Sequence, residues 1–276
     1  MMFDEWSRKC FIVINRNCLG IPRGKRTVIE LFGMGSPNVR KVGIMLEEVA
    51  LDYVLRHVAV FRGDQFEPVF LAMNPLGKVP VLIDHTRDPG RPIHESGAIL
   101  FYLAETYGGR GCPALLPAGG FARYEIMEWL MVQMSAIGPM FGQHNHFRLL
   151  GAQADPYAAA RYRTQAKLLY RRLDERLSTR EWIAGEAYSI ADIAIYPWSL
   201  YLEQHGFDPA AHPSLIRWRD MIGAREPVKR SWDRFAAAFD KESQETRRGA
   251  TPEQLDAFFN RDSEVPAVNY SSVTTR

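Results

Sequence analysis

The chain is poor in cysteine: Cys10, Cys18 and Cys112 are its only three, with no Cys-x-x-Cys spacing. An odd, scattered set excludes a disulfide framework and a four-cysteine zinc site, and it suits a reducing compartment such as the cytoplasm. Long apolar runs are missing too, so no membrane partner is expected. Charge of either sign is not in excess. The 34 basic and 32 acidic side chains are interspersed and leave a net charge of +2, which provides no electrostatic footprint for nucleic acid. No internal repeat is visible. What is present, 46% hydrophobic and 24% charged residues over 276 positions, describes a globular chain with room for two ordinary domains and some tail.

The chain changes character once. From Val28 to Tyr107 short β-branched runs alternate with helical patterns, whereas from Phe121 to about Phe239 the apolar spacing is helical almost throughout. Between them, Gly108 to Gly120 hold five glycines and two prolines in thirteen residues, which is linker punctuation. The expected organisation is an N-terminal arm at 1–26, an α/β domain at 27–108, a linker at 109–119, an all-α domain at 120–235 and an extension at 236–276. The arm surrounds Phe11-Ile12-Val13-Ile14 with basic residues, but that stretch is too short for a secretory signal. The extension is polar from Lys241 to Ala250 and lacks helical periodicity beyond Ser263, so it either lies on the body or frays.

Inside the first domain, strands are expected at Val28 to Phe32, Tyr53 to Val60, Val79 to Ile83 and Pro92 to His94. Val39, Val42, Met45, Leu46 and Val49 mark one face of a helix, and Ile99, Leu100 and Leu103 mark a closing one. That order is thioredoxin-like. Pro80 at the head of a strand that reads as central needs its missing N–H to face a turn or a ligand. Ser96 stands at a helix start, where serine is ordinarily a cap. Ser36, Pro37 and Asn38 suit a loop and first helical turn. Gln65 reads as part of a polar loop and Arg161 as part of a solvated helix face. In the helical half, Gly138-Pro139 predicts a kink. His144 and His146, at i and i+2, do not share a helix face, so no metal site is expected. Met131, Met134, Met140 and Phe141 suit either a pocket wall or a plain core. Ser189-Ile190-Ala191-Asp192 is a capping box with a structural role.

Four segments carry a resemblance to a known family: Gly35-Ser36-Pro37-Asn38, Asn74-Pro75-Leu76-Gly77-Lys78-Val79-Pro80-Val81-Leu82, Glu95-Ser96-Gly97-Ala98-Ile99-Leu100-Phe101-Tyr102-Leu103, and Gly138-Pro139-Met140-Phe141-Gly142-Gln143-His144-Asn145-His146-Phe147. Over about residues 28–235 the chain resembles glutathione transferases, and within them the bacterial nu class, whose relatives include a prion-forming yeast nitrogen regulator. The resemblance implies a thioredoxin-like domain followed by an all-α domain, a homodimer, and reduced or oxidised glutathione as co-substrate. It implies a cis Val79-Pro80 bond that presents the Val79 backbone to the cysteinyl part of glutathione. Lys78 would meet the glycyl carboxylate, Glu95 and Ser96 the γ-glutamyl end, and Gln65 a further carboxylate, while Arg161 would reach across the dimer. Ser36 and Asn38 would stabilise the thiolate; the nu-class pattern has threonine where this chain has Ser36. A serine there also argues against a protein-cysteine mechanism. The implied activity is reduction of small disulfides with weak conjugation of electrophiles. A transferase or lyase dedicated to an aromatic electrophile or ether, or a glutathione-binding regulator, are the alternatives.

Overall fold

The structure is a computed structural model that describes residues 29–86, 91–109, 114–262, 264 and 266–275. The expected arm at 1–26 and all three cysteines lie outside the described residues. Four strands, β1 (Ile29–Gly33), β2 (Tyr53–His57), β3 (Val81–Asp84) and β4 (Pro92–His94), form one sheet in the order β2-β1-β3-β4. β1 and β2 are parallel, with Ile29 opposite Tyr53. A parallel pair needs a crossover, which helix α1 (Pro37–Glu48) supplies. β3 runs antiparallel to β1, pairing Leu31 with Leu82, and β4 antiparallel to β3. Helix α2 (Pro68–Met73) precedes β3, and α3 (Ser96–Tyr107) closes the unit, as the thioredoxin-like reading expects.

The sequence shows one apolar face on α1. The structure buries the helix almost all round, because it is wedged between the sheet and the helical half. That half comprises α4 (Phe121–Val132), α5 (Gly138–Leu150), α6 (Pro156–Leu177), α7 (Ile190–Ser199), α8 (Pro213–Gly223) and α9 (Glu226–Phe235). The kink expected at Gly138-Pro139 appears one turn earlier, as a π-type turn over Gln133–Ile137 in which the Gly138 N–H reaches back to the Gln133 carbonyl. Pro139 has no N–H to give the Ser135 carbonyl, so the α-helical ladder slips upstream of it. The capping box is formed: Ser189 accepts from the Ala191 N–H, and the buried Asp192 carboxylate accepts from Ser189 N at 3.0 Å, Ile183 N at 2.9 Å and Trp218 Nε1 at 2.8 Å. Burial pushes Asp192 up to about 6 in spite of those donors.

One apolar core joins the two halves, running from Ile29 and Leu31 through α1 and α3 to Tyr170 and Trp218. At its tightest point a Cβ on Gly43 of α1 would stand 2.3 Å from the Phe235 ring of α9. Glu48 at the end of α1 pairs with Arg225 through two bonds of 2.7 and 2.8 Å. Side chains alternate across the sheet: Phe32, Val81 and Ile83 point into a second core on the opposite face.

That second core explains the C-terminal extension. It does not fray: α10 (Lys241–Arg248), α11 (Pro252–Phe259) and the four-residue α12 (Ser271–Thr274) lie on the body, with Leu255, Tyr270 and Val273 buried in the second core. Arg247 Nε donates to the Val273 carbonyl at 2.7 Å, and Gln153 and Asn269 exchange bonds of 3.0 and 2.8 Å. No helix of the described residues is long and apolar enough to cross a membrane.

Candidate functional site

The loop after β1 turns at Ser36, whose N–H donates to the Met34 carbonyl at 2.7 Å and whose carbonyl accepts from the Arg40 N–H at 2.9 Å. Ser36 occupies the N-cap position of α1 in extended conformation, with Pro37 behind it, yet its hydroxyl makes no capping bond. The ordinary use of serine at such a position is therefore not the one made of it here. Asn38 Oδ1 accepts from Trp198 Nε1 at 3.1 Å. An indole only donates, so this bond fixes which way the amide points and turns its NH2 group away from the tryptophan.

The Val79-Pro80 bond is cis, as the resemblance implies. The register of β3 begins at Val81, so Val79 lies just outside the ladder. Its approach is held by Asn74, which is buried, donates to the Lys78 carbonyl at 2.7 Å and accepts from the Leu76 N–H at 3.1 Å. Gly77 has φ +58°, and a Cβ there would stand 2.9 Å from the Phe66 ring; both facts favour glycine. Partial burial holds the Lys78 ammonium below its ordinary range. Gln65, expected in a polar loop, is buried in a short 3₁₀ turn over Asp64–Phe66, and its Oε1 lacks a donor among the described residues. A buried acceptor without a donor costs free energy that a ligand N–H would recover, while the amide NH2 can donate to a carboxylate. The Gln65 carbonyl lies 3.2 Å from where a Gly77 Cβ would be, so the turn and the Lys78 loop are neighbours.

At α3 the residues differ by one position from the expected cap. Glu95, exposed and at φ +67°, is the N-cap, and Ser96 is the first helical residue, buried, with its hydroxyl 3.9 Å from Met134 Sδ. Neither side chain caps the helix. A non-glycine residue in the left-handed region beside free helix N–H groups is the kind of strain found at ligand sites. Arg161 is exposed on α6 and does not line the cavity described below; one chain alone does not bring it to the other residues.

Lys41 escaped sequence reasoning altogether. Its side chain is fully buried, donating to Gln133 Oε1 at 2.6 Å and lying 3.4 Å from Met134 Sδ, against the start of α3. Burial lowers its pKa to about 7, and the Glu95 carboxylate opposes that shift. The only available signal was a lysine flanked by Arg40 and Val42 on a helix, which reads as solvated. Met134 thus sits at the site, whereas Phe141 belongs to the core, stacked on Tyr170, and Met131 is exposed. His144 is likewise core and not pocket wall: its Nε2 pairs with the His205 carbonyl at 3.2 Å and burial lowers its pKa. His146 does line the cavity. Among the described residues there is no cluster of three or more metal-ligating side chains.

A cavity of about 670 Å³ opens beside Ser36 and Pro37, bounded by Arg40, by His146 of α5 and by residues of the C-terminal helices. Arg40 is held there by Asp240 at 2.8 Å and by the Trp232 ring at 4.0 Å.

Residues 31–111 match the glutathione S-transferase N-terminal domain family and residues 130–226 the C-terminal domain family. Disulfide-bond oxidoreductase YfcG of Escherichia coli K12 is 39% identical over 72% of this chain and 91% of its own length; disulfide-bond oxidoreductase YghU of the same organism is 34% identical over 83% and 84%. Among solved structures, a glutathione transferase family member from Pseudomonas fluorescens with two glutathiones bound superposes with a TM-score of 0.68 at 38% identity, covering 76% of this chain and 94% of that one. One from Pseudomonas putida, with one glutathione disulfide per subunit, gives 0.68 at 35% identity, covering 76% and 93%.

Proposed function

The chain belongs to the glutathione S-transferase family, and from that premise we propose that it binds glutathione between the Lys78–Pro80 loop and the start of α3 and uses the bound thiolate to reduce small disulfides. The observation that carries this reading is the Ser36–Asn38 turn: a hydroxyl released from capping and an amide oriented by Trp198, at the positive end of a helix. A free thiol of this kind has a pKa of about 8.5, so a neutral solution holds only a few per cent as thiolate. Donation by the Ser36 hydroxyl, the Asn38 amide and the first N–H groups of α1 raises that fraction.

On this reading the Val79 backbone pairs with the cysteinyl unit as an added strand, and Lys78 and Gln65 take carboxylates. The Glu95 carboxylate accepts from the γ-glutamyl ammonium while the α3 N-terminus takes its carboxylate. Lys41, which shares Met134 with Ser96, takes up a proton more readily once the γ-glutamyl carboxylate is bound nearby and then offsets its charge. The thiolate attacks one sulfur of the disulfide and expels the other half as a thiolate, which picks up a proton; a second glutathione thiolate then attacks the glutathione sulfur of the mixed disulfide. Two glutathiones are oxidised to glutathione disulfide and one disulfide is reduced to two thiols. The YfcG and YghU names support this chemistry. A homodimer fits Phe66, Val69 and Leu76, large apolar side chains left exposed around α2 and its loop; in it Arg161 would face the partner's site. A reducing, cytoplasmic setting is consistent with this use of glutathione.

Glutathione-dependent reduction of hydroxyethyl disulfide, run beside conjugation of chlorodinitrobenzene, tests the reading. Fast reduction with slow conjugation is expected. Faster conjugation would make the chain a transferase of electrophiles, and tight glutathione binding without turnover would make it a binding protein.

A further inference from the structure

Lys41 is fully buried on α1, which packs against α3. Two acceptors lie within reach of its nitrogen, Gln133 Oε1 at 2.6 Å and Met134 Sδ at 3.4 Å. A neutral amine has two N–H groups and is satisfied there, whereas an ammonium has three. The carboxylate that acts on it, Glu95, does so through space and not through a bond. Charged groups on the other helices packed against α1 are engaged elsewhere or exposed: Asp192 of α7 sits inside its capping box, and on α9 Arg230 and Arg234 hold Glu47, Lys229 holds Glu226 and Asp233 is exposed. Met134 Sδ also lies 3.9 Å from the Ser96 hydroxyl, and a Cβ on Gly97 would stand 3.0 Å from it. One sulfur atom thus links the amine to the start of α3, where no side chain caps the helix.

We propose that glutathione and a proton bind this site together: the γ-glutamyl carboxylate settles on the free N–H groups of α3, and the buried Lys41 amine becomes an ammonium that holds it by charge. This coupling presupposes the glutathione-binding reading above and adds its control by pH. In the empty site burial lowers Lys41 to about 7 against the pull of Glu95, so above neutrality the amine is mostly uncharged. On binding, the ligand's ammonium takes Glu95 as its partner, and the ligand's carboxylate replaces Glu95 as the anion that favours Lys41. Glu95 is exposed, whereas Ser96 and Gly97 are buried. The exchange moves the negative charge from a wet place to a dry one, where its attraction for a cation is stronger. Lys41 touches no reacting atom on this account; it is a positioning residue that favours ligands with a free γ-glutamyl carboxylate. Each binding event draws a proton from the buffer, and affinity falls as pH rises above neutrality.

Calorimetry of S-methylglutathione binding at pH 8, in phosphate and in Tris, counts the protons taken up, because the two buffers release a proton with different heats. The methyl group removes the thiol, so the ligand's sulfur contributes no proton to the count. The unaltered chain should take up about half a proton more per site than Lys41→Met, the scale set by a group near 7 that gains a close anion; the uptake left in the variant belongs to the ligand's ammonium. Gln133→Glu keeps the lysine and gives it a permanent carboxylate, so Lys41 is charged beforehand and the uptake should drop to the level of Lys41→Met. Equal uptake in the unaltered chain and Gln133→Glu overturns the coupling, whether or not Lys41→Met folds, and so does full uptake in Lys41→Met. No binding to the unaltered chain overturns the glutathione site and the coupling together. The expected proton difference without reduction of hydroxyethyl disulfide supports the coupling and overturns the reductase reading alone.

Discussion

On one side of the Ser36–Pro37 turn, the proposed recognition of glutathione is a matter of backbone and short polar groups: the cis Val79-Pro80 loop, the α3 N-terminus and the strained Glu95. All of it comes from within residues 31–111. On the other side the wall is made of side chains, brought from both ends of the chain by contacts such as Arg40 to Asp240, 200 residues apart. Backbone geometry tolerates sequence change and suits a ligand that never varies. A side-chain wall changes with every substitution.

The largest break in this contrast should come at the turn itself. Asn38→Ala is expected to lower kcat/KM about 100-fold for every disulfide tried, the scale of losing one oriented donor to a developing anion. Ser36→Ala should cost less, because water replaces a hydroxyl more readily than an oriented amide; equal losses would sink that ranking. Next, Glu95→Ala should raise the glutathione KM about 20-fold, as for a lost charge-assisted bond, while leaving the preference between disulfides where it was. A shifted preference would show that the two sides are not separate.

Lys41 gives a pH signature of intermediate size. It is protonated up to its ordinary 10.5 in the unfolded chain but only below about 7 in the folded one. The unfolded state thus binds more protons between those values, and stability should rise with pH across that window. Lys41→Met should flatten the rise, as read from urea midpoints at pH 7 and 9.5; parallel curves for the two proteins would refute the assignment. The smallest effect is expected from Gln153→Ala, which removes the two bonds to Asn269. Amide exchange at 266–275 should quicken about fivefold, the equivalent of about 1 kcal/mol, with the α3 amides unmoved. Quickening at both places would tie the C-terminal segment to the start of α3.

The geometry of the Asn74–Pro80 loop was legible in the sequence because backbone turns constrain residue identity. A cis proline, Gly77 at positive φ and the Asn74 clamp all leave marks within nine positions. The other side was not, because its residues take their meaning from distant partners. Asn38 is oriented by Trp198, 160 residues away. Gln65 and Lys41 carry polar ends that read as solvated until the packing around them is known. His144 and His146 stand side by side in the sequence, yet helix geometry turns His144 into the core beside His205 while His146 faces the cavity. The C-terminal segment offered only Leu255 as a buried residue of α11 and only Val273 of α12, too little periodicity to register, yet it covers the second core.

The contact of Gly43 with Phe235 bears on time as well as on form. With backbone and ring this close across the junction of the halves, and Glu48 clasped by Arg225 at its far end, the described parts of the two halves are packed to move as one. Each turnover should then be paced by sulfur exchange and by diffusion of thiols through an open mouth, with no gating phase before the first bond changes hands.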